Sequence, residues 1–348
     1  MSEGYETIAE DLLDAEISDE KVLSVRHLVK YYPLSKGFFA NLFNEAIYVR
    51  AVDDISFDLR KGEILVLAGE SGCGKTTTGK TVIRLIAPTS GEIWFKGEDI
   101  SQLPNRQIKK LRSSMSIIFQ DPYESLNPKI SIFNTVAEPI RLNKIASSRD
   151  DEIERVAKAL NTVKLGEIET YLDRFPHELS GGQRQRVAIA RALTLEPDLI
   201  IADEPVSMLD VSIRAEILNL LLEQRKEMGI SYIFVTHDLA VAAYIGDRIA
   251  IMYLGKIIEL GDVISIVEKP RHHYTEALLS AVPSSEPGAK KRRKVLAGEP
   301  PSPINPPPGC RFHPRCPKAQ EKCMTEEPPL ELIGKDHMVA CFFPIEDE

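Results

Sequence analysis

The chain has 348 residues, 43% of them apolar and 27% charged, with a formal net charge of −9. That length accommodates one large domain with an appendage, or two domains, and the composition is that of an ordinary globular protein. The acidic balance argues against a nucleic-acid surface, and no apolar run approaches the ~18–20 residues that cross a bilayer.

Residues 1–20 hold eight acids, no Lys or Arg and no apolar core. That pattern is not a secretory leader and predicts a disordered acidic tail on a cytoplasmic protein. Lys21–Tyr32 reads as a strand, followed by a loop over 33–44. Ile55, Phe57 and Leu59 alternate with polar residues, as a half-buried strand requires. The unbroken apolar run Ile64–Ala68 predicts a buried strand, and Thr78–Ile86 a helix stopped by Pro88. Gly91–Ile100 reads as a short strand and turn, and Ser116–Phe119 as a core strand.

Residues 121–180 carry helical periodicity, clearest in Ile153, Val156, Ala157, Leu160 and Val163. Ser148 with Asp151 resembles a capping box at the start of that helix. Three strand-like runs follow, Leu199–Ala202, Tyr232–Val235 and Ile249–Tyr253, separated by helical segments Ser212–Glu227 and Leu239–Ile245. This alternation predicts an α/β fold with a mostly parallel sheet covered on both faces, interrupted by the α-helical insertion. Residues 283–309 are rich in Pro, Ser and Gly and contain the basic run Lys290–Lys294, read as a solvated linker.

Between the strand at 64–68 and its helix lies Gly69-Glu70-Ser71-Gly72-Cys73-Gly74-Lys75-Thr76-Thr77, a complete phosphate-binding loop. Its glycines let successive N–H groups face one anion, Lys75 reaches the β- and γ-phosphates, and Thr76 holds Mg²⁺. The strand ending at Asp203-Glu204 adds two acids. Asp203 suits a water-mediated Mg²⁺ contact and Glu204 the polarisation of an attacking water. Gln120, just past a strand, is placed to touch both that ion and that water. His237, at another strand end, can bond a γ-phosphate and sense its presence. Ser180-Gly181-Gly182-Gln183 leads into a helix and forms a second anion-binding terminus. One triphosphate does not need two cradles from one subunit, so two subunits placed head to tail would complete each other's sites.

With Asp210 in Ser207-Met208-Leu209-Asp210, these motifs resemble, in order and across residues 21–262, the ATP-binding subunit of an ABC transporter. The resemblance implies a P-loop NTPase core with an N-terminal antiparallel β subdomain. Lys75, Gln120, Ser180, Asp203, Asp210 and His237 then match the Walker A, Q-loop, signature, Walker B, D-loop and switch positions. Tyr32 takes the place of an adenine-stacking aromatic, with Tyr31 as the alternative. Ser180, Gly181, Gly182, Gln183 and Asp210 would act on the partner's nucleotide. Met208 departs from the more usual Ala.

The stretch Phe119–Pro128 and the tail segments 302–306 and 309–317 resemble the oligopeptide/dipeptide importer branch, and the Tyr32-Pro33 start its F-type subunit. This implies a second, D-type ATPase subunit, two permeases, an extracytoplasmic substrate-binding protein and a peripheral place on the cytoplasmic face of the membrane. Tyr123 and Leu126 are then expected on the permease-facing surface. Oligosaccharide or nickel cargo is the alternative within this class. A non-transport ABC ATPase would bring coiled-coil arms or tandem cassettes, and a P-loop kinase would lack the signature.

The expected organisation is an acidic tail over 1–20, an ATPase domain over 21–262 with its insertion at 121–180, and a small irregular extension over 263–348. That extension carries Cys310, Cys316, Cys323 and Cys341, spaced C-x5-C-x6-C-x17-C. In a reducing compartment such a cluster points to metal rather than disulfides. The C-x2-C pair of zinc ribbons is missing. Related subunits carry a [4Fe–4S] cluster here, with tetrahedral zinc as the rival and a metal-free tail as the third reading. Cys73 fills a tolerant position in the phosphate loop.

Overall fold

The computed structural model describes residues 17–34, 47–166, 168–281 and 298–346. The tail before residue 17, most of the 33–44 loop and the basic run Lys290–Lys294 lie outside the described residues.

The chain opens with β1 (Lys21–Pro33) and β2 (Tyr48–Arg60), whose inward Ile55, Phe57 and Leu59 are buried as their alternation requires. β3 (Ile64–Ala68) is buried at every position and leads through the phosphate loop into α1 (Lys75–Val82). α1 stops at Val82 rather than running on to Ile86, because Arg84 turns to a positive φ and Leu85 and Ile86 bond back to Lys80. β4 (Ser90–Phe95), β5 (Glu98–Asp99), α2 (Asn105–Leu111) and β6 (Met115–Ile118) follow.

The helical stretch comprises α3 (Pro122–Ser125), α4 (Ile132–Asn143), α5 (Arg149–Thr162) and α6 (Gly181–Leu193). Ser148 caps α5 by accepting the Asp151 N–H, but the Asp151 carboxylate takes the N–H of Ser147, so the box closes one residue early. Ile153, expected on the buried face, is exposed; Val156, Ala159 and Leu160 fill that face instead. Glu152 is buried there and neutralised by a fork of bonds from Arg141 at 2.7 and 2.8 Å, which holds its carboxyl below the usual range.

Then come β7 (Leu199–Asp203), α7 (Val211–Met228), β8 (Ser231–Thr236), α8 (Leu239–Ile245), β9 (Arg248–Tyr253) and β10 (Lys256–Asp262). The extension adds α9 (Val263–Glu268), α10 (His273–Ala281), α11 (Glu321–Thr325), β11 (Glu331–Gly334) and β12 (His337–Val339).

These elements fall into two compact units. The first comprises the described residues of Met1–Val22, Leu59–Glu63 and Leu103–Phe234. It contains the strand order β6-β7-β8, with β6 and β7 parallel, and the helices α2 to α7. The second comprises the described residues of Leu23–Asp58, Ile64–Gln102 and Val235–Glu348. It contains an antiparallel layer ordered β2-β1-β4-β5 and a run ordered β11-β12-β10-β9-β3, in which β3 and β9 are parallel. The two tail strands extend this run by antiparallel pairing of β12 on β10, a feature with no signal in the sequence. Behind that pairing the fully buried Glu259 accepts the N–H groups of Arg271 and His272, and its carboxylate lies 2.7 Å from His337 Nε2.

Candidate functional site

In the second unit, β3 delivers the chain into a loop that only glycine permits at two points. A Cβ on Gly69 would lie 2.3 Å from the Met252 carbonyl oxygen, and one on Gly74 2.1 Å from that of Ala51; both residues have positive φ. The loop therefore threads closely between backbones and exposes Ser71 and Gly72. Lys75 Nζ donates to the carbonyls of Gly69 at 2.7 Å and Glu70 at 3.0 Å, and lies 3.7 Å from Cys73 Sγ. Cys73 is buried; burial pushes its thiol up against the opposing pull of Lys75. α1 starts on Gly74, which has no side chain with which to cap it. Thr76 and Thr77 sit in this first turn.

Two tyrosines end β1. The Tyr31 hydroxyl donates to Asp53, which also pairs with Arg311. Burial and the Asp53 bond push Tyr31 up to about 12. Burial alone would raise Asp53, but the bonds from Tyr31 and Arg311 win and hold it below the ordinary carboxylate range. Tyr32 keeps its ring half-exposed, with Lys30 Nζ 4.9 Å from its centre. His237 follows β8 and is exposed, while Asp238 caps α8 through the N–H groups of Ala240 and Val241.

In the first unit, β7 ends on the buried Asp203 and the next residue, Glu204, takes a left-handed φ of 48°. A non-glycine there is strained, and such strain gathers at functional positions. Gln120 Nε2 donates to Glu204 Oε2 at 3.1 Å. The two residues singled out separately in the sequence thus meet.

Ser180 caps α6 in a reciprocal box: Gln183 N–H donates to its Oγ at 3.3 Å and Ser180 N–H donates to Gln183 Oε1 at 3.0 Å. Gly182 is needed for packing, since a Cβ would stand 2.7 Å from Ile213 Cγ2 of α7. Gly181 faces Leu209 of the Met208–Asp210 turn. Met208, Asp210 and Val211 project from this turn, with Val211 80% exposed. Of the two residues expected on a docking surface, Tyr123 is 60% exposed but Leu126 only 2%. Leu126 is a core residue, because the chain bends back into the unit after the short helix α3.

The four tail cysteines line one cavity with His272, His273, Phe312 and Phe342. All are free thiols. Burial and mutual repulsion push Cys310 and Cys341 up to about 11 and raise Cys316. As placed, no group of three or more His, Cys, Asp or Glu among the described residues is arranged to hold a metal ion. Sequence reasoning missed the tail's grip on the phosphate loop. Arg315 bonds the Glu70 carboxylate, and Tyr274 Oη accepts the Glu70 N–H at 2.9 Å. Neither residue belongs to a nucleotide motif.

Comparison with known proteins agrees with this geometry. Residues 52–207 match the family model described as ABC transporter. Residues 258–323 match that described as the C-terminal region of oligopeptide/dipeptide transporters. The chain is 46% identical over 327 residues to the oligopeptide transport ATP-binding protein AppF of Bacillus subtilis, covering 93% of this chain and 98% of that protein. It is 45% identical to the dipeptide transport ATP-binding protein DppF of Haemophilus influenzae, over 92% of this chain and 96% of the relative. Among solved structures it resembles the ATP-binding cassette MJ0796, solved as a dimer in a post-hydrolysis state bound to ADP and Pi. That match has a TM-score of 0.61 and 29% identity, and covers 69% of this chain and 98% of the cassette.

Proposed function

The chain belongs to the ATP-binding subunits of ABC transporters, and from that premise we propose that it drives import of dipeptides or oligopeptides. The observation that carries the cargo class is one chain matching both the cassette model and the oligopeptide/dipeptide C-terminal region. As an ABC ATPase it binds and hydrolyses ATP. Its working partners would be a second, D-type ATPase subunit, two permeases and an extracytoplasmic binding protein. Its place would be peripheral, on the cytoplasmic face of the membrane. No helix among the described residues is long and apolar enough to cross a bilayer. The functional organisation would follow an ATPase domain over 21–262 and an importer-type extension over 263–348.

The residue roles follow from their chemistry. The N–H groups of 69–77 and Lys75 bind the triphosphate and offset charge that builds on it. Tyr32 stacks on adenine; the engagement of the Tyr31 hydroxyl with Asp53 favours this choice. Thr76, Gln120 and Asp203 offer the hydroxyl, amide and carboxylate oxygens that Mg²⁺ prefers. Mg²⁺, when bound, neutralises phosphate charge. Glu204 accepts the proton of the attacking water, held in place by Gln120, and His237 bonds the γ-phosphate. Ser180 to Gln183 and Asp210 serve the partner's nucleotide, which suits the outward projection of the 208–211 turn.

The cysteine cavity would take a [4Fe–4S] cluster, with tetrahedral zinc as the second candidate. Four thiols on one cavity with aromatic walls supply a suitable donor set. The raised thiols mean that metal binding must displace protons. Metal analysis of anaerobically purified protein tests this: about four irons per chain support the cluster, and about one zinc without iron replaces it.

A reconstituted transporter with its cognate binding protein tests the main proposal. ATP-dependent uptake of labelled di- or oligopeptide is expected. Uptake of sugar or nickel in its place would overturn the cargo.

A further inference from the structure

Glu70, the second residue of the phosphate loop, is held at three points. Its carbonyl oxygen accepts from Lys75 Nζ at 3.0 Å, inside the loop. Its N–H donates to Tyr274 Oη at 2.9 Å, from α10 of the extension. Its carboxylate receives a two-pronged bond from Arg315, with Nη1 to Oε2 at 2.7 Å and Nη2 to Oε1 at 3.1 Å.

Arg315 is itself fixed. Its side chain is only 6% exposed, its Nη1 also reaches the Tyr253 hydroxyl at 3.4 Å, and it closes the short turn His313–Arg315 just before Cys316. A forked guanidinium–carboxylate pair fixes direction as well as distance, which a lysine does not. The ties on the Glu70 N–H and carboxylate therefore come from the extension, while its carbonyl is held inside the loop by the Cys73 N–H at 3.3 Å and by the ammonium that would meet the phosphates.

We propose that Arg315 is a positioning residue for the phosphate loop, through which the C-terminal extension sets the affinity for nucleotide. The inference rests on the ATPase reading above and adds a residue outside every nucleotide motif. A loop already fixed before the ligand arrives avoids the cost of ordering it on binding. Without the strut, Glu70 shifts, its carbonyl moves, and of the two carbonyls that anchor Lys75 only that of Gly69 stays in place. The loss falls on binding of ATP and ADP alike. The hydrolytic step, served by Glu204 and Gln120, keeps its rate once nucleotide is bound.

The test uses the full chain in its assembled transporter, measuring the dissociation constants of ATP and ADP together with KM and kcat for hydrolysis. Arg315→Met should raise Kd and KM about tenfold while kcat stays within about twofold, a typical size for coupling between separated groups. Arg315→Lys should recover part of the affinity. Glu70→Gln should weaken binding similarly, and the Arg315→Met/Glu70→Gln double variant should be no weaker than either single one.

Unchanged Kd in the variants, or a fall in kcat with KM unmoved, overturns the proposal. If Arg315→Met fails to melt cooperatively, Glu70→Gln, which leaves Arg315 its bond to Tyr253, decides the matter by the same readout. A wild-type chain that neither binds nor hydrolyses ATP would sink the ATPase reading instead. Normal wild-type turnover with unaltered variants would sink only the strut.

Discussion

The amide of Gln120 donates to the carboxylate of Glu204 at 3.1 Å, joining a residue two positions past β6 to the residue directly after β7. The proposed base is therefore aimed by a neutral donor, on a backbone held at positive φ. Glu204→Gln keeps the shape and the amide-compatible contact but removes the proton acceptor. It should bind ATP normally while hydrolysis falls by about two to four orders of magnitude. Parallel equilibrium binding and phosphate-release assays check this, and unchanged turnover would remove Glu204 from the role of base.

Gln120→Ala is expected to act more mildly. It frees the Glu204 side chain without deleting it, so kcat should fall about ten- to a hundredfold. Single-turnover hydrolysis separates this from slow product release.

A different pair links the surface to the signature helix. The Arg184 guanidinium of α6 lies 4.1 Å from the centre of the Tyr123 ring, and Arg184 Nε donates to the Pro176 carbonyl at 2.5 Å. Tyr123→Ala should leave basal hydrolysis within about twofold but reduce transport per ATP several-fold, because an exposed contact of this kind contributes about 0.5–1 kcal/mol to stability. Uptake and ATPase measured on the same proteoliposomes would reveal the split.

Leu126→Ala belongs to another category. With 2% of its surface exposed, Leu126 should cost about 2–5 kcal/mol of stability and melt the first unit earlier. Urea titration followed by far-ultraviolet dichroism checks the loss. A coupling defect at full stability would return Leu126 to the docking surface.

Alkaline pH tests the Tyr31–Asp53 contact. An unfolded tyrosine loses its proton near pH ~10, whereas folded Tyr31 holds it to about 12. Between these values folded Tyr31 keeps a proton that the unfolded residue has lost, so its contribution to stability is undiminished below about 10 and is lost as pH rises from about 10 to 12. Tyr31→Phe should flatten part of that limb. Tyr232, Tyr253 and Tyr274, also raised by burial, and the Cys310 and Cys341 thiols keep the remainder. Denaturation midpoints at about pH 9 and about pH 11 in the two proteins make the comparison.

Much of this arrangement was legible in the sequence because it rests on local signals. Gly69 to Thr77 declares its loop by the residues that tight threading demands, and Ile55, Phe57 and Leu59 by their alternation. Other features depend on partners distant in the chain. Leu126 looked like a surface residue because its neighbours are motif-like and polar, and only the bend after α3 buries it. Ile153 kept the helical period, but Ala159 took the buried place on the final geometry. Arg315 lies in the 309–317 segment that resembles the importer branch and Tyr274 in no motif, but nothing local marks either as a partner of Glu70. The pairing of β12 with β10 is equally silent: three residues, His337–Val339, are too few to show a period.

The separation of Glu70 from Arg315, 245 residues, also has a consequence for biogenesis. At ribosomal rates of about 5–20 residues per second, the phosphate loop emerges roughly 12 to 50 seconds before the arginine that braces it. Throughout that interval the nascent chain carries the whole loop without its brace. Full nucleotide capture therefore waits for Arg315 to emerge, and a chain cut short before Arg315 is released with the loop unsecured.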